Sequence, residues 1–152
     1  MEIKFKKIIP TDAQIDELYV LLESRRYSIS HSTINTKSDH ADFVSKHPYV
    51  VWYILYKCGT LFGSVYVQFD NSIGINLSEY NERDFLKIVD YIKNNHKPLH
   101  SIKSIRRNEF FINVSSENTN LIKILKDLKH QVKVFITIKM HQNSFILQFL
   151  KI

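Results

Sequence analysis

Three side chains are candidate proton acceptors: His40, His47 and Asp70. A histidine suits general-base chemistry near neutral pH because its unperturbed pKa is about 6.5. A carboxylate can act as a base directly or through a water molecule. Each residue also has a structural alternative, since His47 precedes a proline, where a cap or packing role is common, and Asp70 precedes Asn71, a pair typical of turns. We keep all three as candidate catalytic residues.

Candidate binding residues are one arginine and three aromatic side chains. Trp52, Tyr53 and Tyr66 lie in predicted strands, as core or pocket residues. Strand alternation puts Trp52 and Tyr53 on opposite faces of a sheet, so at most one of them faces a cleft. Arg25 and the adjacent Arg26 lead into a long predicted loop, where they could clamp a phosphate group of a substrate. The alternative is that both are ordinary solvated arginines.

Residues 70–92 are predicted to form a strand, a polar turn and an amphipathic helix. Ile73, Ile75 and Leu77 alternate with smaller or polar residues, and apolar residues recur at helical spacing from Phe85 onward. The first backbone amides of a helix have no partner within it, so such a junction is a common phosphate site. The acids at positions 82 and 84, however, complement the helix dipole and repel a pyrophosphate.

Periodicity along the chain predicts an α/β (α+β) fold with the order β-α-α-β-β-β-α-β-α-β-β. The predicted strands cover residues 1–9, 49–57, 61–69, 73–77, 109–114, 132–140 and 145–150. The predicted helices cover residues 11–24, 38–46, 81–94 and a segment capped by Ser116. Phe43 is expected to turn inward from the second helix. We expect one domain over residues 1–152.

Composition narrows the functional classes. With 44% apolar and 24% charged residues the chain is typical of globular proteins. No apolar run approaches the roughly 20 residues that span a bilayer, and the N-terminus lacks a signal-peptide core, so we expect a cytoplasmic protein without a membrane partner. The single cysteine, Cys58, cannot form an internal disulfide, and the histidines show no metal-ligand spacing.

The net charge of +6 raises the alternative of a nucleic-acid-associated protein. Most of the positive charge comes from scattered lysines, and only Lys103, Arg106 and Arg107 cluster, in a predicted loop. A solvated loop explains that cluster equally well. We therefore do not expect a nucleic-acid partner. Nucleic-acid binding is kept as an alternative hypothesis, which binding that weakens steeply with salt would support.

Several local motifs carry a family resemblance. They have the form His-x-x-Phe, His-Pro-Tyr-x-x-Trp-Tyr, Gly-x-x-Tyr and Asn-x-Ile-Gly-Ile, and comprise His40, Phe43, His47, Pro48, Tyr49, Trp52, Tyr53, Gly63, Tyr66, Asn71, Ile73, Gly74 and Ile75. With the order of elements, they resemble the GNAT acetyltransferase superfamily over essentially the whole chain. The nearest branch acetylates amino sugars and other small amines. The resemblance implies a mixed, mostly antiparallel sheet of about seven strands with helices on both faces.

The resemblance also implies that acetyl-CoA is the cofactor. In the family the fourth and fifth strands splay apart, and backbone groups of the fourth hold the pantetheine arm. The corresponding residues here are Ile75, Asn76 and Leu77. A glycine-rich turn then cradles the pyrophosphate, whereas residues 81–87 of this chain contain no glycine. The residues at that turn that are candidates for cofactor contact are Arg83, Asp84, Phe85 and Lys87.

The last implied site lies in the helix after the fifth strand. Many family members carry an asparagine near its start and a tyrosine that protonates the departing thiolate. Asn118 matches the asparagine, but the tyrosine position falls at about Ile124 or Leu125. The family's Gly-Phe pair after this helix is replaced by Lys129 and His130.

Two functions follow from the resemblance. The first is an acyl-CoA-dependent N-acetyltransferase acting on a small-molecule amine, such as an amino sugar or a sugar nucleotide. The second is a catalytically silent binding or assembly domain, in which side chains such as Phe85 narrow or fill the opening between the strands. A homodimer is an open alternative to a monomer in either case.

Overall fold

The computed structural model describes residues 2–25 and 36–128, and the backbone of residues 135–139. The strands are β1 (Ile3–Lys7), β2 (Val51–Lys57), β3 (Thr60–Val67), β4 (Ser72–Leu77), β5 (Phe111–Ser115) and β6 (Phe135–Lys139). The helices are α1 (Asp12–Glu23), α2 (Lys37–Ser45), α3 (Glu82–Asn95) and α4 (Thr119–Asp127). None of the helices in this described part is long and apolar enough to cross a membrane.

The described strands form one mixed sheet in the order β1-β2-β3-β4-β5-β6. The pairs β1–β2, β2–β3 and β3–β4 are antiparallel, whereas β4–β5 and β5–β6 are parallel. The β2–β3 hairpin turns through Cys58 and Gly59, both of which have positive φ angles. A parallel β4–β5 pair requires a crossover connection, which α3 supplies.

Helices pack on both faces of the sheet because β2 alternates its buried side chains between two clusters. Val51, Tyr53 and Leu55 belong to the larger cluster, which also contains the buried residues of α3 and α4. Trp52 and Ile54 belong to the smaller one, with the buried residues of α1 and α2. Both faces of β2 are therefore covered, which explains its nearly continuous apolar sequence.

Most predicted elements are present with boundaries shifted by one or two residues. The first ten elements follow the predicted order, but the seventh strand at residues 145–150, with its turn at 141–144, lies outside the described residues. The seven-strand count and the complete order are therefore not confirmed. Lys129, His130 and Arg26 also lie outside them.

Two local predictions were wrong. The cap of α4 is Asn118 and not Ser116, because the Asn118 side chain accepts the hydrogen bond from the backbone of Leu121. Phe43 does not turn fully inward, since 40% of its surface is exposed. It packs edge-on against Tyr49 and Trp52 at the margin of the smaller cluster.

Candidate functional site

The strands β4 and β5 diverge after two paired positions. Ser72 pairs with Phe111 and Ile73 with Ile112, and although both strands continue, no later pairs form between them. Beyond this point the facing backbone edges lack the ladder that a parallel pair normally provides. The predicted splay between the fourth and fifth strands is thus present, and it leaves an opening in the sheet.

A cavity of about 480 Å³ lies at this opening. Its walls come from the two diverging strands β4 and β5 and from residues of α1, α2, β2 and β3. The lining comprises Leu18, Leu21, Leu22, Arg25, His40, Phe43, Tyr49, Trp52, Ser64, Tyr66, Gln68, Ser72, Ile73, Gly74, Ile75, Asn76, Tyr80, Asn113, Val114, Ser115, Asn118 and Leu121. The size is that of a small-molecule site.

Four buried side-chain atoms in the described residues have no hydrogen-bond partner: His40 Nε2, Trp52 Nε1, Ser72 Oγ and Asn113 Oδ1. All four belong to residues that line this cavity. Buried polar groups are normally bonded, and an unsatisfied one costs about 1–3 kcal/mol. Their concentration around one cavity indicates a site for a polar ligand, and they include both donors and acceptors.

His40 lies in α2 and is 6% exposed. Burial lowers the pKa of its imidazole, while a hydrogen bond with the backbone of Ile15 acts in the opposite direction. Since Nε2 has no partner, we assign the Ile15 bond to Nδ1, which leaves the Nε2 lone pair to accept a proton. The ring of Tyr19, centred 5.3 Å away, packs beside the imidazole.

One wall of the cavity is aromatic. The rings of Tyr49 and Tyr66 stack at 4.1 Å between centroids, and Trp52 meets both edge-on. Tyr66 also lies against Gly74, where an added Cβ would come within 2.1 Å of the ring. Glycine at this position therefore permits the close approach.

Arg25 stands at the end of α1, exposed at the rim of the same wall. Burial raises the pKa of both Tyr49 and Tyr66, and the positive charge of Arg25 partly opposes the rise at each hydroxyl. The arginine is therefore close enough to both for its field to act on them. We call Arg25, His40, Tyr49, Trp52 and Tyr66 the acceptor wall.

The opposite side of the opening has a different character. The hydroxyl of Tyr80 donates to the carbonyl of Ile75 at 3.0 Å and accepts from the amide of Leu77 at 3.3 Å. These are two of the three residues predicted to hold a pantetheine arm. Asn76 alternates with them, so its backbone groups point toward β3, where it pairs with Ser64, and it lines the cavity without a free strand edge.

The start of α3 is closed by its own side chains. Asn81 Oδ1 accepts from the amide of Asp84 at 2.9 Å, and Asn81 Nδ2 donates to the Asp84 carboxylate at 2.7 Å. Lys57 Nζ contacts the same carboxylate at 2.6 Å. Burial acts to raise the pKa of Asp84, but the hydrogen bonds from Lys57 and Asn81 outweigh it and hold the pKa below 3.8. We call Ile75, Leu77, Tyr80, Asn81 and Asp84 the donor edge.

The other residues predicted at this helix end do not line the cavity. Phe85 is fully buried in the larger core cluster, so its side chain stabilises the fold and does not fill the opening. Arg83 is exposed, and Lys87 is half-buried, with its charge acting on Asp84. Their contact with a cofactor stays a prediction, and for Asp84 and Phe85 it would require rearrangement, because both are already packed or paired.

Three further candidates also lie outside the lining. His47 Nδ1 accepts from the amide of Tyr49 at 3.3 Å, and burial lowers the pKa of its ring. Asp70 Oδ1 accepts from the amide of Ser72 at 2.9 Å, which is the geometry of a turn former. Tyr53 lies on the opposite face of β2, where its hydroxyl meets His96 Nε2 at 2.9 Å.

Asn118 does line the cavity, but its side chain also has a structural task. Its Oδ1 accepts from the amide of Leu121 at 3.0 Å and caps α4. At the position predicted for a tyrosine acid, Leu125 is buried in the larger core cluster, with Ile124 packed against it. The helix α4 therefore offers no proton donor there.

Sequence reasoning missed Ser72, Tyr80 and Asn113. A polar residue inside the apolar strand Phe111–Ser115 was a usable signal, because Asn113 interrupts a run of apolar residues. Ser72 belongs to a predicted turn, and Tyr80 belongs to the polar turn between a predicted strand and a predicted helix, where no hydrophobic periodicity marks it as a site residue. Within the described residues, no cluster of three histidine, cysteine or acidic residues could hold a metal ion.

Comparisons with known proteins agree with this fold. No protein-family model matches the chain, and no curated protein matches it. Among solved structures, the aminoglycoside N-acetyltransferase AAC(6')-Ib11 superposes with a TM-score of 0.53 at 14% identity, covering 84% of each chain. A protein of unknown function from meticillin-resistant Staphylococcus aureus, described as a probable acetyltransferase, has a TM-score of 0.47 at 14% identity, with 87% of this chain and 92% of that chain covered. The first likeness shows that this chain shares the overall fold of that N-acetyltransferase, and the splayed strands and the order of elements agree with the fold expected from the sequence.

Proposed function

We propose that this protein is an acyl-CoA-dependent N-acetyltransferase acting on a small-molecule amine. The observation that carries the proposal is the cavity at the β4–β5 opening, with its four unpartnered buried polar atoms. A core without a ligand-binding role rarely keeps such atoms together, because each one destabilises the fold. The finer assignment to an amino sugar or a sugar nucleotide is part of this proposal.

The donor edge provides the place for the acyl donor. The Tyr80 hydroxyl bonds to one carbonyl and one amide of β4, a pattern that matches the donor and acceptor of a single amide group. The pantetheine arm contains amide groups, so it fits the strand edge if Tyr80 withdraws. Acetyl-CoA would supply the activated acyl group. The pyrophosphate has no glycine cradle, and the cations at the closed helix end are Lys57, which is paired with Asp84, and Arg83 and Lys87.

The acceptor wall provides the base. His40 is neutral at pH 7, because burial lowers the pKa of its imidazole, and its Nε2 is unbonded. It can therefore accept the proton that an attacking ammonium must lose, either directly or through a water molecule. The cavity contains Tyr80 but no tyrosine from α4, so the missing acid at Ile124 and Leu125 is not replaced from the same helix.

A second candidate function has its own support. In a catalytically silent domain the donor site would be closed, and Tyr80 together with the Asn81–Asp84–Lys57 bonds does close it in this structure. Phe85, which we expected to fill the opening, does not. Tyr80 is the side chain that a silent domain would use for this purpose.

Turnover by the purified protein distinguishes the two functions. The assay measures release of free thiol from acetyl-CoA in the presence of a panel of primary amines, with no-amine and no-protein blanks. The Asn113→Leu variant is the matched control, because it puts an apolar side chain at the opening without touching the core. Amine-dependent thiol release that Asn113→Leu abolishes supports the enzyme. Absence of thiol release with every amine supports the silent domain.

A further inference from the structure

We propose that the acceptor amine carries an anionic group, a phosphate or a carboxylate, and that Arg25 recognises it. This inference rests on the proposed acetyltransferase function and assigns the substrate class of the same cavity. Three observations carry it: the charge inventory of the cavity, the position of Arg25, and the packing of the aromatic wall.

The cavity contains no carboxylate side chain. The chain has 15 aspartate and glutamate residues, and every one of them lies within the residues that the structure describes. None lines the cavity. A polycationic amine would therefore enter a partly desolvated cavity without an opposing negative charge among the lining residues, which is costly.

The fixed charge at the rim is positive. Arg25 acts on the hydroxyls of both Tyr49 and Tyr66, so its field reaches into the cavity. A guanidinium group binds phosphate and carboxylate in bidentate fashion, whereas it repels an ammonium group.

The ring of Tyr66 offers a cation little cation–π attraction. A cation would need to lie over a free ring face. Tyr66 packs against Tyr49 on stacked faces and against Gly74 as well, so little of its ring is available. The unpartnered Trp52 Nε1 is a hydrogen-bond donor, and it suits an oxygen atom of the ligand.

Burial of the amine favours the chemistry. Attack on a thioester requires the neutral amine, and desolvation inside the cavity disfavours the charged ammonium form. The ammonium first loses one proton to His40 or to solvent, and the neutral amine nitrogen then forms a bond with the acyl carbon. The C–S bond breaks as the thiolate departs, and the new amide nitrogen loses its second proton to solvent, which in turn protonates the thiolate. An anionic group elsewhere on the acceptor holds the molecule in place by pairing with Arg25.

The test compares a matched series of acceptors: glucosamine, glucosamine 6-phosphate, muramic acid and kanamycin. Glucosamine carries an amine without an anionic group, glucosamine 6-phosphate adds a phosphate, muramic acid adds a carboxylate, and kanamycin carries further ammonium groups. A charged hydrogen-bonding pair is worth about 1.5–3 kcal/mol, so kcat/KM for the preferred anionic acceptor should exceed that for glucosamine by about 10- to 100-fold. Comparison of kcat/KM for glucosamine 6-phosphate and for muramic acid shows which anionic group the site prefers.

Variants identify the residue responsible. Arg25→Gln should remove the preference for the anionic acceptor over glucosamine, and Arg25→Glu should reverse the order in favour of kanamycin. Lys123→Gln is the charge-matched control, since Lys123 is exposed on α4 outside the cavity lining. Equal kcat/KM for all acceptors, or a preference for kanamycin in the wild type, would overturn the inference.

Calorimetric binding of each acceptor without acyl donor separates this inference from the proposed function. Turnover of glucosamine or kanamycin without an anion preference refutes the inference and leaves the acetyltransferase standing. Absence of turnover with every amine refutes the acetyltransferase. An anion preference in binding that Arg25→Gln abolishes would still support the recognition by Arg25, and its absence would overturn it.

Discussion

The acceptor wall and the donor edge face the same opening but differ in how their polar groups are satisfied. On the wall, His40 Nε2 and Trp52 Nε1 have no partner among the described residues, and neither do Ser72 Oγ and Asn113 Oδ1 beside it. On the edge, the polar side chains bond to one another and to the strand. The described residues therefore leave the polar groups of the first region unsatisfied, whereas the polar groups of the second region satisfy one another.

This difference explains why the family motifs are present around the acceptor wall, whereas the glycine-rich turn is absent at the donor edge. Unsatisfied buried groups are tolerated when a ligand repays their desolvation, so the wall keeps the features of a binding surface. The N-terminus of α3 lacks glycines, and its own carboxylate, Asp84, pairs with Lys57. Asp84 complements the helix dipole there, so no anion from a ligand is required. Binding of an acyl donor must therefore break bonds at the donor edge, whereas binding of an acceptor only adds bonds at the wall.

The largest expected effect comes from removing the proposed base. His40→Gln should lower kcat/KM by about 100- to 10,000-fold, the usual contribution of a positioned base. His47→Gln is the matched control, because its ring lies outside the cavity lining and should change kcat/KM little. A larger loss in the His47 variant than in the His40 variant would reverse the assignment.

The pH profile gives an independent reading of His40. Burial lowers the pKa of its imidazole below 6.5, so wild-type kcat/KM should remain high just below that pH and fall only at more acidic values. Unfolding should also become easier as the pH falls below 6.5, because the unfolded chain takes up this proton before the folded chain does. Thermal melts of wild type and His40→Gln across this range measure the difference.

Phe85→Ala sharpens the distinction between fold and donor contact. Phe85 is fully buried in the larger core cluster, so truncation should lower the free energy of unfolding by about 3–5 kcal/mol. Arg83→Ala, an exposed neighbour on α3, should change it by less than about 0.5 kcal/mol. Chemical denaturation measures both. A nearly neutral Phe85 variant with impaired donor binding would instead support the predicted cofactor contact.

Tyr80→Phe tests whether the donor edge is closed by this hydroxyl. Losing its two hydrogen bonds should lower stability by about 1 kcal/mol, and acetyl-CoA should bind more tightly because the strand edge is free. Tyr91→Phe removes a tyrosine hydroxyl next to Tyr53, away from the opening, and should not change acetyl-CoA affinity. Weaker binding by Tyr80→Phe would show that the hydroxyl serves the donor and does not exclude it.

The smallest expected effect compares two serines. Ser72→Ala removes an unsatisfied buried hydroxyl, so the free energy of unfolding should stay constant or rise slightly. Ser78→Ala removes a hydroxyl that donates to the carbonyl of Phe62 at 3.1 Å, and should lower it by about 0.5–1.5 kcal/mol. Equal losses at both sites would contradict the description of the Ser72 hydroxyl as unsatisfied.

The fold was largely predictable because its signals are local. The aromatic and β-branched strands β2 and β3, their hairpin at Gly59, and the cap at Thr11 follow from residue type and spacing. Arg25, His40, Trp52 and Tyr66 were likewise predicted as site residues, and all four line the cavity. The alternation of Trp52 and Tyr53 placed only Trp52 at the cavity, as strand geometry requires.

The rest depends on contacts between distant parts of the chain. The splay that exposes Ser72 and Asn113 is set by where β4 and β5 stop pairing, which no local pattern encodes. Tyr80 matters only because the turn returns its hydroxyl to β4. His47 and Asp70 found backbone partners within two residues, and such local bonds compete with any role in a site.

The proposal depends most directly on whether the opening between β4 and β5 admits acetyl-CoA. A thermal-shift titration of wild type and Asn113→Leu with acetyl-CoA tests this. At about 100 times the dissociation constant, bound ligand adds about 2.7 kcal/mol, which for a chain of this size raises the melting temperature by about 5–10 °C. We expect that shift in the wild type and its loss in Asn113→Leu. No shift of the wild type at millimolar acetyl-CoA would contradict the acetyltransferase function and leave the silent domain as the better account.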